Sequence, residues 1–237
     1  MATSDTVAST GASSTGRQVR ESSYHHGDLR NALVRASSEL AEAGGPTAVT
    51  VRAAARAVGV TATAAYRHFK GHEELLAAVH EEAARVLFQA IDGAMKAVAD
   101  QGDPTATAIS HLAAIARAYI EFASRERGLF RTAFGAVEHY VDKDIHQDPI
   151  FRLLAVTLDT LVETGFMDIR QRPGAEFTAW AAVHGLAALI VDGPLSCVAD
   201  NEREVAIRHT TATVLRGFAT GPEAGPYCSA NPHIALI

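Results

Sequence analysis

Residues 50–76 read TVRAAARAVGVTATAAYRHFKGHEELL, and the organisation of the chain follows from them. Thr50 is placed to cap a helix, its hydroxyl accepting from a free amide of the first turn. Val51, Ala54, Ala55 and Val58 then fall at i, i+3, i+4 and i+7 on one apolar face. Gly59 follows the last periodic residue, where a left-handed conformation stops a helix without a Cβ penalty, and Val60 can fill the angle between two crossing helices. Thr61 caps a second helix predicted to run to about His68, with Ala62, Thr63, Tyr66 and Arg67 outward and Ala65 and Phe69 inward. Two short helices joined through a glycine turn are the arrangement of DNA-reading helix-turn-helix units. An ordinary helix pair in an all-helical protein has the same periodicity.

Charge separates these readings. Residues 17–71 carry eight basic side chains (Arg17, Arg20, Arg30, Arg35, Arg52, Arg56, Arg67 and Lys70) against Glu21, Asp28, Glu39 and Glu42. The local balance is +4, whereas the whole chain is −6. The cations gather where a phosphate backbone would be met, and the remainder would repel one.

The stretch resembles the DNA-binding domain of the TetR family of bacterial transcriptional regulators. The capped helix at Thr50, the Gly59-Val60 turn, Tyr66-Arg67-His68-Phe69 and Glu73-Glu74-Leu75-Leu76 match in order and spacing. The similarity covers about residues 24–76, including Tyr24-His25-His26-Gly27-Asp28-Leu29-Arg30, which resembles the start of the first helix in one branch of the family. The resemblance implies that Thr63 and Tyr66 face base edges or the adjoining backbone, and that Thr50, Arg52, His68 and Lys70 approach phosphates. Thr61, Arg67 and His72 complete the DNA-binding set. Ala62-Thr63-Ala64-Ala65 stands where the family often has Pro-Gly-Thr-Leu, removing a hydroxyl at 64 and a bulky core group at 65. His72 replaces a common Lys.

The remainder reads as helices. The 237 residues, 48% hydrophobic but only 6% aromatic, predict a core built mainly of Ala, Leu and Val. Residues 1–22, rich in Ser, Thr, Ala and Gly, predict a disordered arm, with Arg17 and Arg20 able to reach a minor groove. A first helix is expected from Gly27 or Asp28 to Ala43, ended by Gly44-Gly45-Pro46. Leu33, Leu40, Val49, Val51, Val58, Val60 and Phe69 are the expected core of a three-helix head over 23–71. A fourth helix starting near His72 sustains an apolar stripe to Val98 and joins this head to a helical body of about six helices over 72–220. Helices are expected over 105–124, 128–135, from Asp148-Pro149 to Gly165, and over 175–191 and 201–218, with 221–237 as a tail. The fold class is all-α.

Glu138, His139, Asp142, Asp144, His146 and Asp148 crowd one linker, but their spacing matches neither an oxygen-rich calcium loop nor a His-x3-His helix pair. No metal, cofactor or catalytic site is expected. Cys197 and Cys228 have no metal-ligand spacing and are expected to be reduced. With no secretory or membrane-spanning segment in view, a cytoplasmic protein is expected.

Trp180-x3-His184-Gly185 followed by Leu186 resembles the ligand-binding domain of one subset of TetR-like proteins. The family resemblance implies that the last two long helices pair across a two-fold axis. His184, Leu186, Ala187, Leu189, Ile190, Ile207, Thr211, Val214 and Leu215 are the expected dimer contacts, with a core role or contact with an effector as the alternatives for His184. An effector cavity is expected among Phe88, Met95, His111, Ile115, Tyr119, Phe122, Phe130, Phe134, Leu154, Leu158 and Trp180, which combine size or polarity with inward helix faces. The expected function is a homodimeric repressor bound to an inverted-repeat operator in double-stranded DNA and released by a small-molecule effector. The competing readings are a helical interaction module without DNA activity and a small-molecule enzyme. For the latter, His111, Tyr119 and His184 form no recognisable catalytic order.

Overall fold

The computed structural model describes residues 26–134 and 144–234. The expectations for the arm 1–22 with Arg17 and Arg20, for Tyr24 and His25, and for Glu138, His139 and Asp142 lie outside the described residues. Among those described, ten α-helices and several single 3-10 turns form, and no strand does.

Helix α1 spans His26–Gly44, α2 Val51–Val58 and α3 Ala62–Tyr66. Thr50 caps α2 by accepting from the Ala53 amide at 3.1 Å, and Thr61 caps α3 by accepting from Ala64 at 3.2 Å. Gly59 lies in the left-handed region (φ 78°, ψ 27°), and the Val60 amide reaches back to the Ala55 carbonyl at 2.9 Å. That six-residue ring closes the C-terminus of α2. Helix α3 stops at Tyr66, two residues before the expected end at His68, and a turn carries Arg67 and His68 to Phe69. Phe69, Leu33, Val49 and Val51 are buried, while Leu40, Val58 and Val60 pack around them.

Helix α4, His72–Lys96, runs from the head into the body, burying Leu75, Leu76, Val79, Ala83, Leu87 and Ile91 along one stripe. Helix α5, Pro104–Arg125, is the body's central rod, and packs against α4, α6 (Arg127–Phe134), α7 (Pro149–Glu163), α8 (Ala175–Val191) and α9 (Asp200–Phe218). Its buried residues include Ala108, Ile109, Ser110, Leu112, Ile115, Ala118, Tyr119, Ile120 and Phe122, which spread around the axis as a helix enclosed on most sides requires. A single apolar cluster extends from Leu33 and Phe69 through α4 and α5 to Ile190 and Ile207. A second fills the far end around Leu158, Leu161, Phe166 and Leu215.

Residues 221–234, expected as a tail, are packed. Helix α10 spans Gly225–Ala230, Tyr227 donates to Asp103 at 2.6 Å, and Ile234 is fully buried. Cys197 and Cys228 are free thiols. No helix among the described residues is long and apolar enough to cross a membrane.

Candidate functional site

The expected reading residues of the head are mostly on its surface. Thr50, Arg52, Thr61, Thr63, Arg67 and Lys70 lie on it at least partly open to solvent, and Tyr66, at 44% exposure, is the only large apolar side chain of the described head left so open. His68 is half-buried. The two cap threonines fix where both helices begin, so the outward side chains of α3 project from a short helix whose position is set by its cap and by the turn into Phe69. Arg30 of α1 stacks over the Phe69 ring at 5.1 Å, which braces the residue ending the unit.

His72 has a different neighbour from the one its position implies. Its Nδ1 lies 2.6 Å from the Val49 carbonyl, so that nitrogen carries the proton and donates. The ring thereby ties the start of α4 to the residue before the Thr50 cap. Glu74 completes this start by accepting from the Lys70 amide at 2.7 Å.

The body holds an open cavity of about 820 Å³ among α4, α5, α6, α7, α8 and α9. Of the residues expected to line it, Phe88, Ile115, Tyr119, Phe134, Leu154 and Trp180 do so. The other five do not. Phe122, Phe130 and Leu158 are buried in helix packing, and Met95 and His111 line a separate cleft of about 690 Å³ beside the C-terminal end of α4 and the start of α5. His80, Arg85, Phe151 and Phe177, which were not anticipated, complete much of the wall.

Tyr119 organises the cavity's inner end. Its hydroxyl lies 2.8 Å from His184 Nδ1 and accepts from the Trp180 indole N–H at 3.4 Å. Phe130 and Phe134 close around the imidazole with ring centroids 5.5 and 5.2 Å away. Burial pushes the His184 pKa below its ordinary value, favouring the neutral ring. His184, expected as a dimer contact, is half-buried in the protomer and bonds to the cavity residue Tyr119.

Most of the other expected dimer contacts turn inward in the protomer. Leu186, Ala187, Ile190, Ile207, Thr211 and Leu215 are buried within the protomer, and Val214 faces the cavity. Leu189 alone is exposed. The outward stripe of α8 is Ala181, Gly185 and Leu189, and that of α9 is Val205, His209, Thr213 and Gly217. A Cβ added to Gly185 or Gly217 would meet no atom within 4 Å.

Head and body touch at a second place besides α4. At Gly128 the backbone of α6 runs so close to α1 that an added Cβ would lie 2.1 Å from the Ala41 carbonyl oxygen. The adjoining Leu129 amide donates to the Glu42 carboxylate at 2.9 Å. The other end of α6 carries Ala133 and Phe134 onto the cavity wall. Helix α6 thus spans the distance from cavity to head. Among the linker acids within the described residues, Asp144 caps the 3-10 turn Ile145–Gln147 and Asp148 caps α7.

Residues 33–79 match the bacterial regulatory proteins of the tetR family, and residues 112–214 match the tetracyclin repressor-like C-terminal domain. The fold is similar to that of a protein of unknown function from Rhodococcus sp. RHA1, at 25% identity over 84% of this chain and 100% of the other, with a TM-score of 0.62. It is also similar to the TetR family transcriptional regulator PfmR from Thermus thermophilus, at 22% identity over 78% and 97% of the two chains (TM-score 0.56). A third likeness is to the ketosteroid transcriptional regulator KstR2 of Mycobacterium tuberculosis, at 15% identity over 80% and 94% (TM-score 0.53). No curated protein matches the chain.

Proposed function

Because this chain belongs to the TetR family of bacterial transcriptional regulators, we propose that it represses transcription by holding an inverted-repeat operator as a homodimer and that a small molecule in the 820 Å³ cavity releases it. A single head reads one half-site, too little to be selected from a genome of competing sequence. Two heads about 34 Å apart meet successive major grooves on one side of the duplex. The exposed stripes of α8 and α9 are the faces we assign to the pairing, since they leave Leu189 45% exposed in the protomer and place Gly185 and Gly217 where two helices can approach closely. We further place the chain in the subset carrying Trp-x3-His-Gly, a reading supported by the joint contact of Trp180 and His184 with Tyr119.

The observation that carries the release mechanism is the path of α6. An effector changes operator affinity only through unequal affinity for two arrangements of the heads. Helix α6 places Phe134 on the cavity and Leu129 against Glu42, so a ligand that displaces the first end works directly on α1 as well as through α4.

Recovery of bound fragments from the source genome, followed by titration of the recovered sequence in increasing salt, tests this function. A regulator of this kind selects an inverted repeat and loses affinity steeply with salt. Fragments with no shared repeat, bound with a flat salt dependence, would exclude specific operator reading.

A further inference from the structure

We infer that His72 is a positioning residue for operator reading: it locks the head to α4 at one angle, and so sets the half-site spacing a dimer accepts, without itself touching DNA. The inference rests on the regulator reading proposed above.

The joint between α3 and α4 has a packed side and an open side. On the packed side, Phe69 and Leu75 are fully buried in one cluster with Leu33 and Val49. On the open side, Gly71 stands at the N-cap position of α4 and brings no side chain to cap it, and a Cβ added there would meet no atom within 4 Å. Two polar ties close this side. The Lys70 amide donates to Glu74 at 2.7 Å, and His72 Nδ1 donates to the Val49 carbonyl at 2.6 Å. The first tie is local to the joint, whereas the second spans 23 residues and reaches the reader. The Val49 carbonyl belongs to the same planar peptide as the Thr50 amide. The bond therefore fixes the peptide from which Thr50 caps α2 at 3.1 Å. Helix α2 packs chiefly on α1 and α3, and α4 packs on α1, so the bond ties the start of α2 directly to α4.

The same bond decides what the ring offers to DNA. A neutral imidazole has one N–H, and here Val49 takes it, which leaves Nε2 an acceptor with no proton for a phosphate oxygen. Position 72, expected among the DNA contacts, is given a different task by this geometry. In a two-fold dimer, both recognition helices meet successive grooves only at a fixed separation. One base pair added between the half-sites moves them about 3.4 Å along the axis. It also turns them about 34° around it. A head locked to α4 cannot follow that change, and a head that rocks about its buried edge follows it in part. The lock also carries any tilt of α4 into the reader.

Fluorescence anisotropy with the recovered inverted repeat, and with two copies whose spacer is one base pair longer or shorter, tests this role. The unaltered protein should prefer the native spacing by at least about tenfold. His72→Ala should cut that preference at least about threefold. His72→Asn, whose side-chain amide can donate to the same carbonyl, should keep it within about twofold. A general loss of stability weakens binding to all three DNAs alike and cancels in the ratio. The slope of log K against log salt should be the same in His72→Ala as in the unaltered protein, whereas Lys70→Ala lowers it by about one. An unchanged spacing preference in His72→Ala, or a slope reduced by about one, would overturn the inference and leave the regulator intact. Indifference of the unaltered protein to spacing would overturn it as well. Failure to hold any inverted repeat would defeat the regulator reading and this inference with it.

Discussion

The carboxylate of Glu42, in the last turn of α1, accepts the backbone N–H of Leu129, in the first turn of α6, at 2.9 Å across 87 residues of sequence. The contact places a charged acceptor on an amide at a helix N-terminus, where the helix dipole favours negative charge. Glu42→Ala should lower stability by about 1 kcal/mol, and Glu42→Gln, which keeps an acceptor without the charge, by less. Chemical denaturation checks the order. An unchanged midpoint in Glu42→Ala would mean the bond contributes nothing to the join.

The outward side chains of the reader separate binding from folding. Tyr66→Ala should abolish selective operator binding while shifting stability by no more than about 0.5 kcal/mol, since the ring lies on the surface. Arg52→Ala, Arg67→Ala and Lys70→Ala should each reduce the slope of log K against log salt by about one. Filter binding over a salt series gives both quantities, and undiminished selectivity in Tyr66→Ala would remove that residue from the reading surface.

Pairing through the outer faces of α8 and α9 makes a prediction opposite in kind to one through their inner faces. Gly185→Arg adds bulk where the protomer has open space, so helical content should persist while sedimentation shows monomers. Ile190→Asp buries a charge in the protomer core and should cost several kcal/mol, with loss of folding as the dominant effect. A dimeric Gly185→Arg protein would put the interface elsewhere.

The depressed His184 pKa gives stability a pH dependence with a definite sign. The folded ring resists protonation because it is buried, and the unfolded ring does not, so the unfolded chain binds more protons as the pH falls below 6.5. The His184 contribution is full above that value and declines on acidification until the folded ring titrates too. His233, also lowered mainly by burial, acts in the same sense. Denaturation midpoints measured from pH 8 to pH 5 should fall, and should fall less in His184→Gln. A steeper acid loss in the variant would contradict the assignment of the neutral form.

The head was legible because local chemistry determines it. Thr50, Gly59 and Thr61 each act within a few residues of themselves, and the bonds they form are those their spacing predicts. Even there α3 ended early, since the Tyr66-Arg67-His68 backbone turns to deliver Phe69 into the core. The faces of α8 and α9 were not legible. Helix α8 carries apolar residues around its whole circumference, so periodicity could not tell inward Leu186 and Ile190 from outward Ala181 and Leu189. Five of the eleven expected cavity residues lie elsewhere for a related reason. Phe122 and Phe130 have the size and position of lining residues, and only the placement of the surrounding helices decides that they pack into the core while Phe151 and Phe177 reach the cavity. Likewise, the bond from His72 to Val49 spans 23 residues, and no local pattern announces it.

The seam at Gly128 limits how this protein can be recombined with its relatives. Regulators of this architecture invite exchange of heads and bodies at the start of α4, with one covalent junction to adjust. Here α1 and α6 also meet main chain to main chain, and an added Cβ at 128 would sit 2.3 Å from the Glu42 Cα. A chimera that sets this head on a body lacking the glycine would clash however well its α4 were joined. A graft that carries Glu42 and Gly128 together would keep the joint as a transferable pair.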